Sequence, residues 1–99
     1  MQKLTAAEIR IHQTAVPKWV RRGAVITRAY IFSDFAAALK FVNGVGRAAE
    51  KAQHHPDIDI RWNRVRLALT THDAGGLTAR DFALALQLET LSATFKPEP

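Results

Sequence analysis

Cysteine is absent from the 99 residues. That removes disulfides, thiolate metal sites and a cysteine nucleophile together, and leaves histidine, carboxylate and hydroxyl groups to carry any chemistry. A reducing, cytoplasmic setting is the expectation. Long apolar runs are also missing: no stretch of about 20 such residues exists to span a bilayer, and Met1 to Thr5 lacks the apolar segment of a secretory signal. A soluble protein with no membrane contact is expected. Acidic residues are in the minority, 9 against 14 Lys plus Arg, and the resulting net charge of +5 attracts anions in general. The bases are scattered through Arg21, Arg22, Arg28, Arg61, Arg64 and Arg66 rather than massed, so nucleic-acid binding is not expected on charge alone.

What is present suffices for one packed core, since 47% of the residues are hydrophobic. Thr5-Ala6-Ala7-Glu8 has capping-box spacing and predicts a short helix that stops before Val16-Pro17. Trp19-Val20 and Ala24 to Phe32, separated by Arg21-Arg22-Gly23, predict a hairpin. Ser33 and Asp34 are both candidate N-caps for the longest helix, whose inner face is read as Phe35, Ala38, Leu39, Val42, Val45 and Ala49. It is expected to end near His54, and Gly44 and Gly46 within it point to close packing of another backbone.

From Asp57 the period becomes 2, with Ile58, Ile60 and Trp62 on one side of a strand and a turn at Asn63-Arg64. Val65, Leu67 and Leu69 alternate in the next strand, and His72 lies just past its end. Thr78 then caps a last helix with Asp81 at its third position. The order is α-β-β-α-β-β-α, an α+β fold with a four-stranded antiparallel sheet covered on one face by helices. Residues 1–96 are expected to form one domain, and 97–99, containing Pro97 and Pro99, a tail outside it. The broad apolar arc of the last helix, with Phe82, Ala85, Leu86, Leu88 and Leu91, points to a surface buried by another copy.

The candidate chemistry lies at element ends: His54 and His55 at the end of the long helix, His72 after the last strand, Asp81 in the first turn of the last helix. Imidazole titrates near neutral pH, so a pocket holding several imidazoles, one carboxylate and the flat face of Trp62 or Trp19 suits a planar heterocycle that needs proton transfer.

At these residues the sequence resembles the pterin-4a-carbinolamine dehydratases, also called dimerisation cofactors of a homeodomain transcription factor. The motif reads Glu50, His54-His55-Pro56, Trp62, His72 and Asp81. The likeness extends to Trp19, Asp34-Phe35, Asn63-Arg64-Val65, Thr71-His72, Gly76-Leu77-Thr78 and Arg80, and so covers nearly the whole chain. The resemblance implies the same α-β-β-α-β-β-α fold, a homodimer or homotetramer, no cofactor and no metal. It implies removal of water from a 4a-hydroxytetrahydropterin, which aromatic amino acid hydroxylases produce, to give a quinonoid dihydropterin. By resemblance His54, His55 and His72 supply acid, base and pterin binding with the individual roles open. Glu50 and Asp81 orient an imidazole, Arg80 and Trp19 belong to the pocket, and Trp62 packs beneath the ring or fills the core. The family's coactivator role is not carried over, and Ile58 and Gly75 depart from the family's usual residues.

Blander readings exist. Histidines at a helix C-terminus interact favourably with its dipole, by roughly 0.3 to 1 kcal/mol, and Asp81 is also an ordinary capping-box acid. Zinc is disfavoured, because consecutive helical residues point about 100° apart and the i, i+4 pairing of helix ligands is absent. The alternative from another class is a small basic module that binds nucleic acid or protein without catalysis. No strand carries the aromatic motif such RNA binders use.

Overall fold

The computed structural model describes residues 2–99. Helix α1 spans Ala6–Gln13 and opens on the expected capping box: Glu8 N–H donates to Thr5 Oγ1 at 3.2 Å, and Thr5 N–H donates to Glu8 Oε1 at 2.9 Å. Strands β1 (Val20–Arg22) and β2 (Val25–Ile31) form the first hairpin. Helix α2 (Phe35–Ala52) takes Asp34 rather than Ser33 as its N-cap, with Ala37 N–H donating to Asp34 Oδ1 at 2.8 Å. Strands β3 (Asp57–Arg61) and β4 (Arg64–Leu69) form the second hairpin, and α3 (Ala79–Thr94) closes the fold.

All pairings are antiparallel and the strand order is β1-β2-β4-β3, so α2 carries the chain across to the far edge before β4 returns beside β2. Ile26 and Tyr30 of β2 and Val65, Leu67 and Leu69 of β4 are buried, whereas Ala29, Ile31, Arg64 and Arg66 on the opposite pleat are exposed. One face of the sheet thus carries the core beneath the helices. Burial of that face, with the ring contacts of Phe41 to Tyr30, Phe32 and Phe95 at centroid distances of 4.9, 5.1 and 5.9 Å, ties α2 and the chain end beyond α3 to the sheet.

Several details differ from the sequence pattern. The buried face of α2 is Ala38, Phe41, Gly44, Val45 and Ala49; Phe35 and Leu39 lie on its exposed flank. A Cβ on Gly44 would sit 3.2 Å from Leu91 Cδ2, so the close neighbour is a side chain of α3, while nothing lies within 4 Å of the Gly46 position. The second hairpin turns at Trp62-Asn63, because Arg61 pairs with Arg64. Trp62 takes φ +49° there and is 66% exposed, so it neither continues the inward face of β3 nor fills the core. Ile58, on edge strand β3, is also exposed. Pro97 and Pro99 flank a residue that returns to the sheet: Glu98 N–H donates to Ile31 C=O at 2.7 Å.

Candidate active site

The site begins with how α2 stops. Gln53 adopts the left-handed conformation, its N–H bonds back to Ala49 and Glu50 carbonyls, and His54 N–H reaches Ala49 C=O at 3.1 Å. This is the Schellman arrangement, which reverses the chain within two residues. The helix therefore ends at Ala52 and both histidines lie beyond it. His54 turns inward and is buried, while His55 stays exposed beside Glu50, to whose Oε2 its Nε2 is hydrogen-bonded. Arg80 locks the reversal from the other side, donating from Nη2 to Gln53 C=O at 2.5 Å.

Helix α3 supplies the carboxylate. Thr78 is its N-cap and Asp81 its third residue, with Thr78 N–H donating to Asp81 Oδ2 at 2.9 Å. The other oxygen, Oδ1, lies 2.6 Å from His54 Nε2, and Asp81 is 0% exposed. One residue thus caps a helix and engages an imidazole of another element. Thr71 adds its hydroxyl, which donates to Asp81 Oδ2 at 2.8 Å.

The loop after β4 places the third histidine. Thr71 and Gly76 form an antiparallel bridge, with N–H to C=O distances of 3.2 and 3.3 Å in the two directions. The bridge encloses a short 3₁₀ turn over His72–Ala74, which ends at Gly75 with φ +75°, a conformation glycine adopts without penalty. His72 is exposed on this turn. An open cleft of about 260 Å³ results, lined by Gln53, His54, His55, Thr70, Thr71, His72, Asp73 and Arg80.

Of the residues singled out in the sequence, His54, His55, His72 and Arg80 line this cleft, and Asp81 and Glu50 bond two of its imidazoles from behind. Pro56 leads into β3 and is half-buried. Trp19 is not among the lining residues; it is 1% exposed in the core, and its Nε1 lies within hydrogen-bond distance of no partner among the described residues. Trp62 is likewise elsewhere, on its turn. Asp73 is an addition from the structure, and Thr71, quoted in the sequence only as part of the likeness, gains a place in the site. A Thr next to a histidine carries no helical or strand signature of its own, and only the closure of the 71–76 bridge brings its hydroxyl to Asp81.

The arrangement can donate and accept protons at three imidazoles, two of them hydrogen-bonded to carboxylates, in a cleft open enough to admit a small planar molecule. Comparison with known proteins gives the family. Residues 2–91 match the family described as pterin 4 alpha carbinolamine dehydratase. A protein of Acidobacterium capsulatum is 56% identical over 91 residues, covering 92% of this chain and 99% of its own; one of Thermomicrobium roseum is 50% identical over 93 residues, covering 94% and 100%. Both carry pterin-4-alpha-carbinolamine dehydratase as a provisional name. The crystal structure of a transcriptional coactivator/pterin dehydratase from Brucella melitensis superposes with a TM-score of 0.84 at 33% identity, over 91% of this chain and 98% of that one. The chain belongs to the pterin 4 alpha carbinolamine dehydratase family.

Proposed function

We propose that the protein removes water from a 4a-hydroxytetrahydropterin and releases a quinonoid dihydropterin, by acid-base catalysis at histidine. The observation that carries this reading is the cleft shared by His54, His55 and His72, with His54 bonded to Asp81 and His55 to Glu50. In the reaction one imidazole gives a proton to the 4a-hydroxyl, the C4a–O bond breaks and water leaves. A second base takes the N5 proton, and the electron pair of that N–H bond becomes the new C4a=N5 bond. No electrons are gained or lost overall, so proton donors and acceptors suffice.

Glu50 holds His55 toward the cleft, and Arg80 both lines the cleft and fixes Gln53 at the helix reversal. The reaction fits regeneration of the tetrahydropterin spent by an aromatic amino acid hydroxylase, in the cytoplasm. Self-association to a dimer or tetramer belongs to the same reading, supported by Leu39 and Leu86, large apolar residues exposed on α2 and α3. Sedimentation of the purified protein at several concentrations tests that part; a monomer throughout removes it.

The site itself is tested with variants His54→Ala and His72→Ala in a dehydration assay. Each is expected to lose about a hundredfold or more in kcat, in the range for a positioned acid or base. Full activity in both would place the chemistry elsewhere.

A further inference from the structure

The buried Asp81 carboxylate has a complete set of donors, and their directions can be followed atom by atom. Oδ2 accepts from Thr78 N–H at 2.9 Å and from the Thr71 hydroxyl at 2.8 Å. Thr71 has a single hydroxyl hydrogen, so in its 2.9 Å contact with Thr78 Oγ1 it must be the acceptor and Thr78 the donor. The Thr78 hydroxyl in turn accepts from Arg80 N–H at 3.3 Å. Since a carboxylate only accepts, the 2.6 Å contact of Oδ1 is donated by His54, and Nε2 carries the hydrogen.

That leaves Nδ1. The one buried side-chain nitrogen or oxygen without a partner among the described residues is Trp19 Nε1. His54 Nδ1 is not in that class, and it is the ring nitrogen not committed to Asp81, on a residue that lines the cleft. Thr71 also pairs through its backbone with Gly76 and so starts the turn that bears His72. A single residue thus stands behind two imidazoles, through its hydroxyl for one and its main chain for the other.

Resting on the dehydratase reading, we propose that Thr71 is a positioning residue for the reaction. Through Asp81 its hydroxyl holds His54 with Nε2–H turned inward, so that Nδ1 is the ring atom that exchanges a proton with the pterin. Thr71 acts through Asp81 and through its own main chain. Loss of its hydroxyl leaves Asp81 Oδ2 with Thr78 N–H as its one remaining donor, so the carboxylate is held less tightly and the tautomer and ring plane of His54 are less well fixed.

Two variants and a spectrum test this. Thr71→Val keeps the branched shape without the hydroxyl, and Thr71→Ser restores the hydroxyl without the methyl. For Thr71→Val, kcat on the carbinolamine is expected to fall about tenfold or more with KM within about twofold. The ¹⁵N-edited imidazole spectrum of its His54 should lose the single Nε2–H form. Thr71→Ser should keep both rate and spectrum close to the wild type. Equal impairment of the two variants would show that packing, not the hydroxyl, matters, and would overturn the proposal.

Wild-type protein alone gives an independent check, needed if Thr71→Val does not fold. At a pH where His54 is neutral, a hydrogen on Nδ1 instead of Nε2 overturns the assignment whatever the activity. A folded wild type that is inert on the carbinolamine removes the dehydratase reading and the role of Thr71 with it. An active wild type with an indifferent Thr71→Val removes that role alone.

Discussion

Asp81 Oδ1 lies 2.6 Å from His54 Nε2, across 27 positions of sequence, and joins the first turn of α3 to the residue that follows the reversal at the end of α2. Asp81 belongs at once to the stability of a helix and to the orientation of an imidazole. The two contributions can be separated by choice of substitution.

Asp81→Asn keeps the shape and can still accept from Thr78 N–H, but its amide presents a donor where His54 now finds an acceptor. Activity should fall by roughly a hundredfold or more while the fold persists, as when an imidazole is held in the wrong tautomer. Asp81→Ala should lose stability as well, by about 1 to 3 kcal/mol, because buried donors of Thr71, Thr78 and His54 lose their partner. Urea denaturation alongside the activity assay distinguishes the two.

A second cluster contributes to acid stability. Arg28 Nε and the Tyr30 hydroxyl both donate to Glu89 Oε1 at 2.6 Å. Burial pushes the Glu89 carboxyl up, but the hydrogen bonds from Arg28 and Tyr30 and the charge of Arg28 outweigh it and leave it below the usual carboxylate range. Because the folded value is the lower one, this pairing stabilises at neutral pH and is lost as pH falls through it. In urea titrations the gap between wild type and Glu89→Gln should therefore narrow steadily on acidification. A gap that stays constant would contradict this account.

The two helical glycines should respond differently. Gly46→Ala meets open space and should stabilise by about 0.5 to 1 kcal/mol through helix propensity. Gly44→Ala should gain less, since Leu91 Cδ2 at 3.2 Å from the new Cβ has to move. Thermal denaturation reads both. Loss of stability in Gly46→Ala together with loss of self-association would instead place another copy against that position.

Trp62 pays a conformational penalty at φ +49° without gaining burial. Trp62→Asn, at the first position of a two-residue hairpin turn, should hold or raise stability by up to about 1 kcal/mol. A clear loss in the denaturation midpoint would mean that the indole has a packing partner.

These cases also show what was legible in the sequence. Both capping boxes, Thr5 with Glu8 and Thr78 with Asp81, were readable because the interaction spans three residues and has its own spacing. The α-β-β-α-β-β-α order followed from the change of hydrophobic period. Trp62 was misplaced because alternation does not mark where a strand yields to its turn, and here the side chain that continues the pattern leaves the sheet. His54 and His55 were located beyond α2 only in the structure, since Gln53 takes the left-handed position where glycine would have signalled a stop. Thr71 entered only as part of the likeness and without a role, because its hydroxyl acquires a partner only through tertiary closure. The set of three histidines rested on resemblance, and their shared cleft is what two separately encoded chain reversals, at Gln53 and over 71–76, produce.

The most direct measurement is the rate at which a freshly generated 4a-hydroxytetrahydropterin loses water, followed by absorbance with and without purified, folded protein. The account predicts saturable acceleration proportional to protein concentration, with no added metal or cofactor. A rate equal to that in buffer alone would contradict it.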